Sequence, residues 1–195
     1  MAFSMQAPPS VLVAAWWLFG FGWGITLYGK TIGRGVMDFF DKCDIQDSLQ
    51  TIEQIITSGI FSPQNSRSPF FKPSFVALLI SLRDLMYKAE KYSTRINFTD
   101  DVDLRDKVQD VSGLIKFVRD ALCHPDSDNH YLDNGIKATF NVIFGAGCMA
   151  QFGSCRQESI YADDICFFFG MHRIYLNRHI VRATQEAKAK LEPLM

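Results

Sequence analysis

The chain has 195 residues, is 48% hydrophobic and carries a net charge of -1, so it holds enough apolar mass for a packed core, and disorder is excluded. Near neutrality also means that contact with nucleic acid needs a local basic patch, because the total charge exerts no pull on a polyanion. The five cysteines, Cys43, Cys123, Cys148, Cys155 and Cys166, form no CxxC and follow no regular spacing. Reduced thiols suit that pattern better than a disulfide framework does. A metal site made of Cys148, Cys155, Cys166 and His172 is the outlying alternative; neither a metal nor an organic cofactor is expected.

No charged residue precedes Lys30. The apolar run from Val11 to Tyr28 would span about 27 Å as a helix, close to the hydrocarbon thickness of a bilayer. Positive charge before the run, which a secretory signal would want, is missing; Lys30 and Arg34 follow it and would hold the remainder of the chain in the cytoplasm. Gly20 and Gly24, then Gly29 and Gly33, stand four apart, a spacing that lets helices approach closely in lipid. Residues 1–33 are therefore read as an apolar segment with a membrane span through residues 10–28, and residues 34–195 as the main domain. This places the protein at the inner membrane with a cytoplasmic C-terminal domain. The alternative is a cytoplasmic protein that buries Trp16, Trp17 and Trp23 in its core or in an oligomer interface.

An amphipathic pattern runs from Val36 to Ile60 and stops at Gly59, and SPQNSRSP, Ser62 to Pro69, is a connector. In SFVALLISLRDLMYKAEKY the apolar residues Phe75, Leu78, Leu79, Leu82, Leu85, Met86 and Ala89 make one stripe of a second helix. Acidic TDDVD, Thr99 to Asp103, offers N-caps, and Leu104, Val108, Val111, Ile115, Val118 and Leu122 then carry the cleanest helical period in the chain. KATFNVIFG, Lys137 to Gly145, and DDICFFFG, Asp163 to Gly170, are short, aromatic, β-branched and closed by glycine. They read as two strands joined by a loop around AGCMAQFGSCRQES. That loop lacks the Lys-Ser or Lys-Thr of a phosphate-cradling P-loop. HRIYLNRHIVRATQEAKAKL reads as a last helix, where Arg173, Arg178, Arg182, Lys188 and Lys190 outnumber the acids by four. Such a face is usually solvated, and RNA contact through Arg178 and Arg182 is the sharper meaning.

The third helix ends in RDALCHPDSDNH, Arg119 to His130. Pro125 biases His124 away from helical geometry, which ends the helix there and frees the imidazole to turn back towards Arg119. Arginine grips phosphate with a planar fork, and histidine can both take and give a proton near neutrality. The two suit metal-free RNA cleavage, in which the ribose 2′-hydroxyl attacks its own phosphate. The bland alternative pairs Arg119 with Asp120 and leaves His124 as a helix stop. His130, six residues on, is a further RNA-binding candidate, Asp126 to Asn129 are turn formers, and His172 and His179 fall on the basic last helix.

Arg119 followed by polar Asp120, three further residues and His124, at the end of a core helix, resembles the signature of the HEPN superfamily of ribonucleases and nucleic-acid-associated domains. RDALCHPDSDNHYLD, TFNVIFGAGC and DDICFFFGMHRIYLNRHIVRA resemble small prokaryotic members with a strand pair before the final helix, over about Phe70 to Leu191. The resemblance implies a mainly α fold, a helical bundle with a short β-hairpin inserted before its last helix. It also implies a homodimer whose two Arg/His pairs share one cleft, metal-independent endoribonuclease activity, and toxin or antiviral roles with a defence-system or antitoxin partner. Arg119 would bind phosphate, His124 would move protons, and Asp120 would stand where the family most often has asparagine. Some members keep the bundle and only bind nucleic acid or a partner, and an effector that assembles in the membrane through residues 1–33 is a third reading.

Overall fold

Asp38 starts the first helix. Its carboxylate accepts the Asp41 N–H at 2.8 Å, and α1 then runs Phe39–Thr57. The computed structural model describes residues 36–195 apart from 106 and 154, within the unit Gly33–Met195. The expected span at residues 10–28 lies outside the described residues, among which no helix is long and apolar enough to cross a membrane.

The second helix, α2 (Phe71–Tyr92), buries all seven residues of the stripe read from its sequence. It packs against α1, and charged groups border that contact. The nearly buried Lys88 ammonium reaches Asp84 at 2.8 Å and Asp44 at 3.0 Å, while Asp41 takes Lys91 at 2.9 Å and the Tyr92 hydroxyl. Lys88 is tolerable there because each of its bonds ends on a carboxylate.

The third helix, α3 (Val111–Cys123), starts later than its apolar period suggests. Asp110 caps it, accepting the Gly113 N–H at 2.7 Å, and Arg95 clamps the same carboxylate through Nε at 2.8 Å and Nη2 at 3.0 Å. Burial raises the Asp110 carboxyl, but Arg95 and the Gly113 amide outweigh it and hold the group below the usual carboxylate range. Leu104 to Asp110 is irregular chain in which Arg105 and Val108 bridge to each other. The end of α3 falls where Pro125 requires: Cys123 is the last helical residue, and His124 is extended at φ -123° and ψ 96°.

A mainly α bundle with one inserted hairpin is not what the chain forms. The fold is mixed α/β, with two small antiparallel sheets. Strands β1 (Thr139–Phe144), β4 (Ile165–Phe169) and β5 (His172–Tyr175) form a three-stranded sheet in the order β1-β4-β5, and β2 (Gly147–Phe152) pairs with β3 (Cys155–Ser159). The stretch expected as a loop is thus a second hairpin, and the expected last helix spends its first four residues on β5. After β5 come one π-helical stretch, Leu176–Val181, and α4 (Arg182–Leu191). His172–Tyr175 forms a strand because β4 needs a second edge partner, and β5 pairs with it from Cys166↔Tyr175 to Phe169↔His172.

One face of the larger sheet lies on α2. Phe75 stacks on Phe167 with ring centroids 4.1 Å apart, and Phe61, Phe71, Phe140 and Phe169 surround the pair. Phe140 joins this cluster from a bulge in β1, with φ at +52°. The opposite face carries Cys166, Phe168 and Tyr175. There the second hairpin is tied on, by Asn141 Nδ2 donating to Gln157 Oε1 at 2.7 Å and Arg173 Nη1 donating to the Glu158 carbonyl at 3.1 Å.

Gly170 makes the β4–β5 turn at φ +55°, with the Asn129–Tyr131 loop directly over it. An added Cβ would stand 2.6 Å from the Tyr131 carbonyl and 2.9 Å from that of Asn129. Gly135 also has positive φ, at +77°, yet faces open space. We expect Gly135→Ala to cost about 1 kcal/mol through backbone strain alone. Gly170→Ala should cost about 3 kcal/mol, strain and backbone collision combined. Urea unfolding of the two variants measures the difference; equal losses would show that the loop does not pack on Gly170.

Candidate functional site

The α3 stop leaves His124 exposed, its N–H donating to the Asp120 carbonyl at 3.0 Å. It borders a recess of about 460 Å³ together with Lys107, Asp120, Asp126, Ser127 and Asn129. Arg119 looks elsewhere. Its Nη1 lies 3.0 Å from Asp120 Oδ1, and it borders a separate recess of about 500 Å³ with Ile80, Arg83, Asp84, Tyr87 and Cys123. Within one chain the two motif residues therefore face different cavities, separated by Asp120, which also takes Lys116 at 3.2 Å.

His130 is buried rather than displayed in the loop. Its Nε2 lies 3.2 Å from the His124 carbonyl, which can only accept, so Nε2 carries the proton and Nδ1 accepts from the Thr139 hydroxyl at 3.0 Å. The ring pins the loop to β1. Ser127 and Asn129 hold the same turn: the Ser127 hydroxyl accepts the Asn129 N–H at 3.2 Å, and Asn129 Nδ2 donates to the Phe117 carbonyl at 3.1 Å. The reading of Asp126 to Asn129 as turn formers describes what they do here. His130 sets the backbone of His124 and is not itself presented to a ligand.

The His124 recess shares walls with a larger one. Lys107 and Asn129 border both it and a cavity of about 690 Å³ beside Phe117, Tyr131 and His172. Arg105, Asp133 and Met171 then lead from that cavity into a third, of about 260 Å³, walled by Arg156, Gln157 and Arg173. About half of the arginines and lysines of the described residues have a carboxylate partner; Arg105 and Lys107, both exposed, are among those with none in the described residues, and they are the ones that border these recesses. The cleft is not uniformly basic, since Asp120, Asp126, Asp128 and Asp133 also border it.

The basic residues of the C-terminal region serve the fold. Arg178 reaches Asp163 at 3.0 Å and Asp164 at 3.1 Å and lies 3.5 Å over the Tyr161 ring. Arg182 pairs with Asp100 at 2.9 Å and Glu186 at 3.0 Å and lies 3.8 Å over Phe98. His179 belongs to no basic surface: it is fully buried, accepting the Tyr175 N–H at Nδ1 and facing the Asp100 carbonyl with Nε2 at 3.2 Å. His172 is buried edge-on to Phe117, with ring centroids 4.4 Å apart. Among the described residues no group of three or more metal-ligating side chains is placed to hold a metal ion. Cys166, one member of the alternative metal set, is buried in the sheet, which pushes its thiol up to about 12.

No family model, curated protein or solved structure matches this chain. Sequence reasoning missed Arg105, Lys107, Gln157 and Arg173 as lining of a common cleft. Arg105 and Lys107 were hidden inside an apolar helical period, and Gln157 in an expected loop. A signal was present in Asp110, an N-cap residue type that stands directly before Val111 of the apolar period.

Burial lowers the pKa of His179, against the opposing pull of the Asp100 carbonyl. The folded ring therefore stays neutral where the unfolded one, near 6.5, protonates. Its contribution to stability is complete above pH ~6.5 and is lost as pH falls from there towards the folded value, because the unfolded state then binds more protons. Urea unfolding at pH 7.5 and 5.5 should show lower stability at 5.5, with a smaller difference in His179→Gln. In a ¹⁵N imidazole titration the His179 Nε2–H tautomer should persist below pH ~6.5; protonation at or above that value would contradict the assignment.

Proposed function

We propose that the chain binds RNA along the cleft that opens at His124 and cleaves it without a metal, as a homodimer. The observation that carries this reading is the exposed His124 at the mouth of a cleft whose next cations, Lys107 and Arg105, have no carboxylate partner among the described residues. Free guanidinium and ammonium groups are what phosphate contacts require. The likeness of Arg119 through His124 to the HEPN signature supplies the reaction class.

In that reaction the 2′-oxygen bonds to the adjacent phosphorus, the bond from phosphorus to the 5′-oxygen breaks, and a 2′,3′-cyclic phosphate remains. The 2′-hydroxyl proton passes to one imidazole, and the leaving 5′-oxygen takes a proton from another. One His124 holds one of these roles at a time, so two copies of the chain complete the pair. A second copy also answers the separation of Arg119 from His124, because the arginine of one copy can face the histidine of the other. Ile80 and Tyr87, about half exposed beside Arg119 on α2, provide apolar surface for such an approach. The developing charge on the phosphoryl oxygens would then lie against a guanidinium.

A second reading, a non-catalytic RNA-binding or partner-binding module, is favoured by one observation: Arg119 is engaged by Asp120 at 3.0 Å and borders a different recess from His124. Mixed cellular RNA incubated with the purified chain in EDTA separates the two readings. Under the first, the wild type cuts and leaves 2′,3′-cyclic ends, His124→Ala loses on the order of 100-fold or more in rate, and Arg119→Ala loses a comparable factor. Absence of cleavage in all three, with RNA retained by the wild type and released by Lys107→Ala, would select the binding module.

A further inference from the structure

Two buried donors at the inner end of the cleft have no hydrogen bond among the described residues. Gln157 is 1% exposed; its Oε1 accepts from Asn141, and its Nε2 has no hydrogen-bond partner. Arg173 Nε is likewise buried without a hydrogen bond among the described residues, its one ion pair being a long one to Asp103 Oδ2 at 3.5 Å. Arginine nitrogens can only donate, so the Arg173 group needs an acceptor whichever way the Gln157 amide is turned. Leaving such groups unpaired in a protein interior is costly, and a ligand that accepts from both removes the cost.

These donors wall the recess of about 260 Å³ together with Arg105 and Arg156, and Asp103 and Asp133 border it as well. Arg156 gives one nitrogen to Glu158 at 3.2 Å, and Arg105 gives none to any carboxylate of the described residues. Forks converging from three chain segments offer more donors than the two oxygens of a carboxylate can accept, and they suit the three terminal oxygens of a phosphate monoester. Arg105 and Met171 border both this recess and the cavity of about 690 Å³, whose walls include Phe117, Tyr131 and Leu132. That volume lies in the range of small-molecule sites.

We propose that this double recess binds a phosphorylated small molecule. Its phosphate sits against Arg105, Arg156, Arg173 and Gln157, and its ring-bearing apolar body lies beside Phe117, Tyr131 and Met171. The site needs no RNA cleavage, and its readout is binding alone, so failure of the ribonuclease reading leaves it standing.

Isothermal titration of the full chain with phenyl phosphate, benzoate and inorganic phosphate tests the proposal. Phenyl phosphate should bind saturably at one site per chain, on the order of tenfold tighter than inorganic phosphate and more than tenfold tighter than benzoate. Arg105→Ala and Arg156→Ala each remove an exposed side chain and should leave the melting temperature unchanged while weakening phenyl phosphate on the order of tenfold. Lys42→Ala, on α1, should bind like the wild type. Benzoate binding as tightly as phenyl phosphate would overturn the phosphate assignment, and inorganic phosphate matching phenyl phosphate would overturn the ring seat. Unchanged affinity in both arginine variants, or no saturable binding by any of the three probes, would overturn the site.

Discussion

Strand β4 is buried on both faces, and the arrangement of the C-terminal half answers that constraint. Phe167 and Phe169 enter the aromatic cluster on α2, while Cys166 and Phe168 point the other way. Burying a phenylalanine contributes about 1.5–3 kcal/mol, but the strand's backbone groups lose water in the process and must be paired on both edges. β1 takes one edge and β5 the other. The second hairpin then covers the face that α2 does not, and the seam between that hairpin, the β4–β5 turn and the 103–105 loop becomes the inner recess.

Immediately before β4, Asp164 converts this strand into a support for the last helix. Its fully buried carboxylate accepts the backbone N–H groups of Ile165, Asn177 and Arg178 as well as the Arg178 guanidinium. A buried carboxylate is stable only when its oxygens are answered in this way. Arg178 therefore acts as a strut between β4 and the helical C-terminus. Arg182 does the same towards Asp100 on the preceding loop, and His179, neutral and buried, closes the turn between them. Most of the positive charge that marks this region in the sequence is consumed by folding.

Two cations without a carboxylate partner among the described residues border the cleft. Arg105 and Lys107 sit on irregular chain ahead of α3, and His124 sits just behind it, so a single helix carries the cleft's chemistry at its two flanks. His130 fixes the far side by holding the His124 carbonyl. The acidic residues along the same walls restrict where an anion can settle: Asp120 screens Arg119, and Asp133 and Asp103 stand beside the inner guanidiniums. Such alternation confines a phosphate to the few positions where a cation stands without an adjacent carboxylate.

The local chemistry written into the chain determined the apolar stripe of α2, the stop of α3 before Pro125, the turn from Asp126 to Asn129 and the two aromatic strands. Each follows from interactions among near neighbours: side-chain period, proline sterics and turn-forming side chains. Tertiary structure alone decided that α3 starts at Asp110, where Arg95 from another segment clamps the cap. It also decided that HRIY is a strand, because β4 lacked an edge partner, and that the glycine-containing stretch after β1 pairs with itself and covers the sheet. The fate of each polar residue was settled the same way. His130 and His179 are structural, and Arg105 has no carboxylate partner among the described residues, because partners distant in the sequence either reach a side chain or do not, and residue type and spacing carry no record of that.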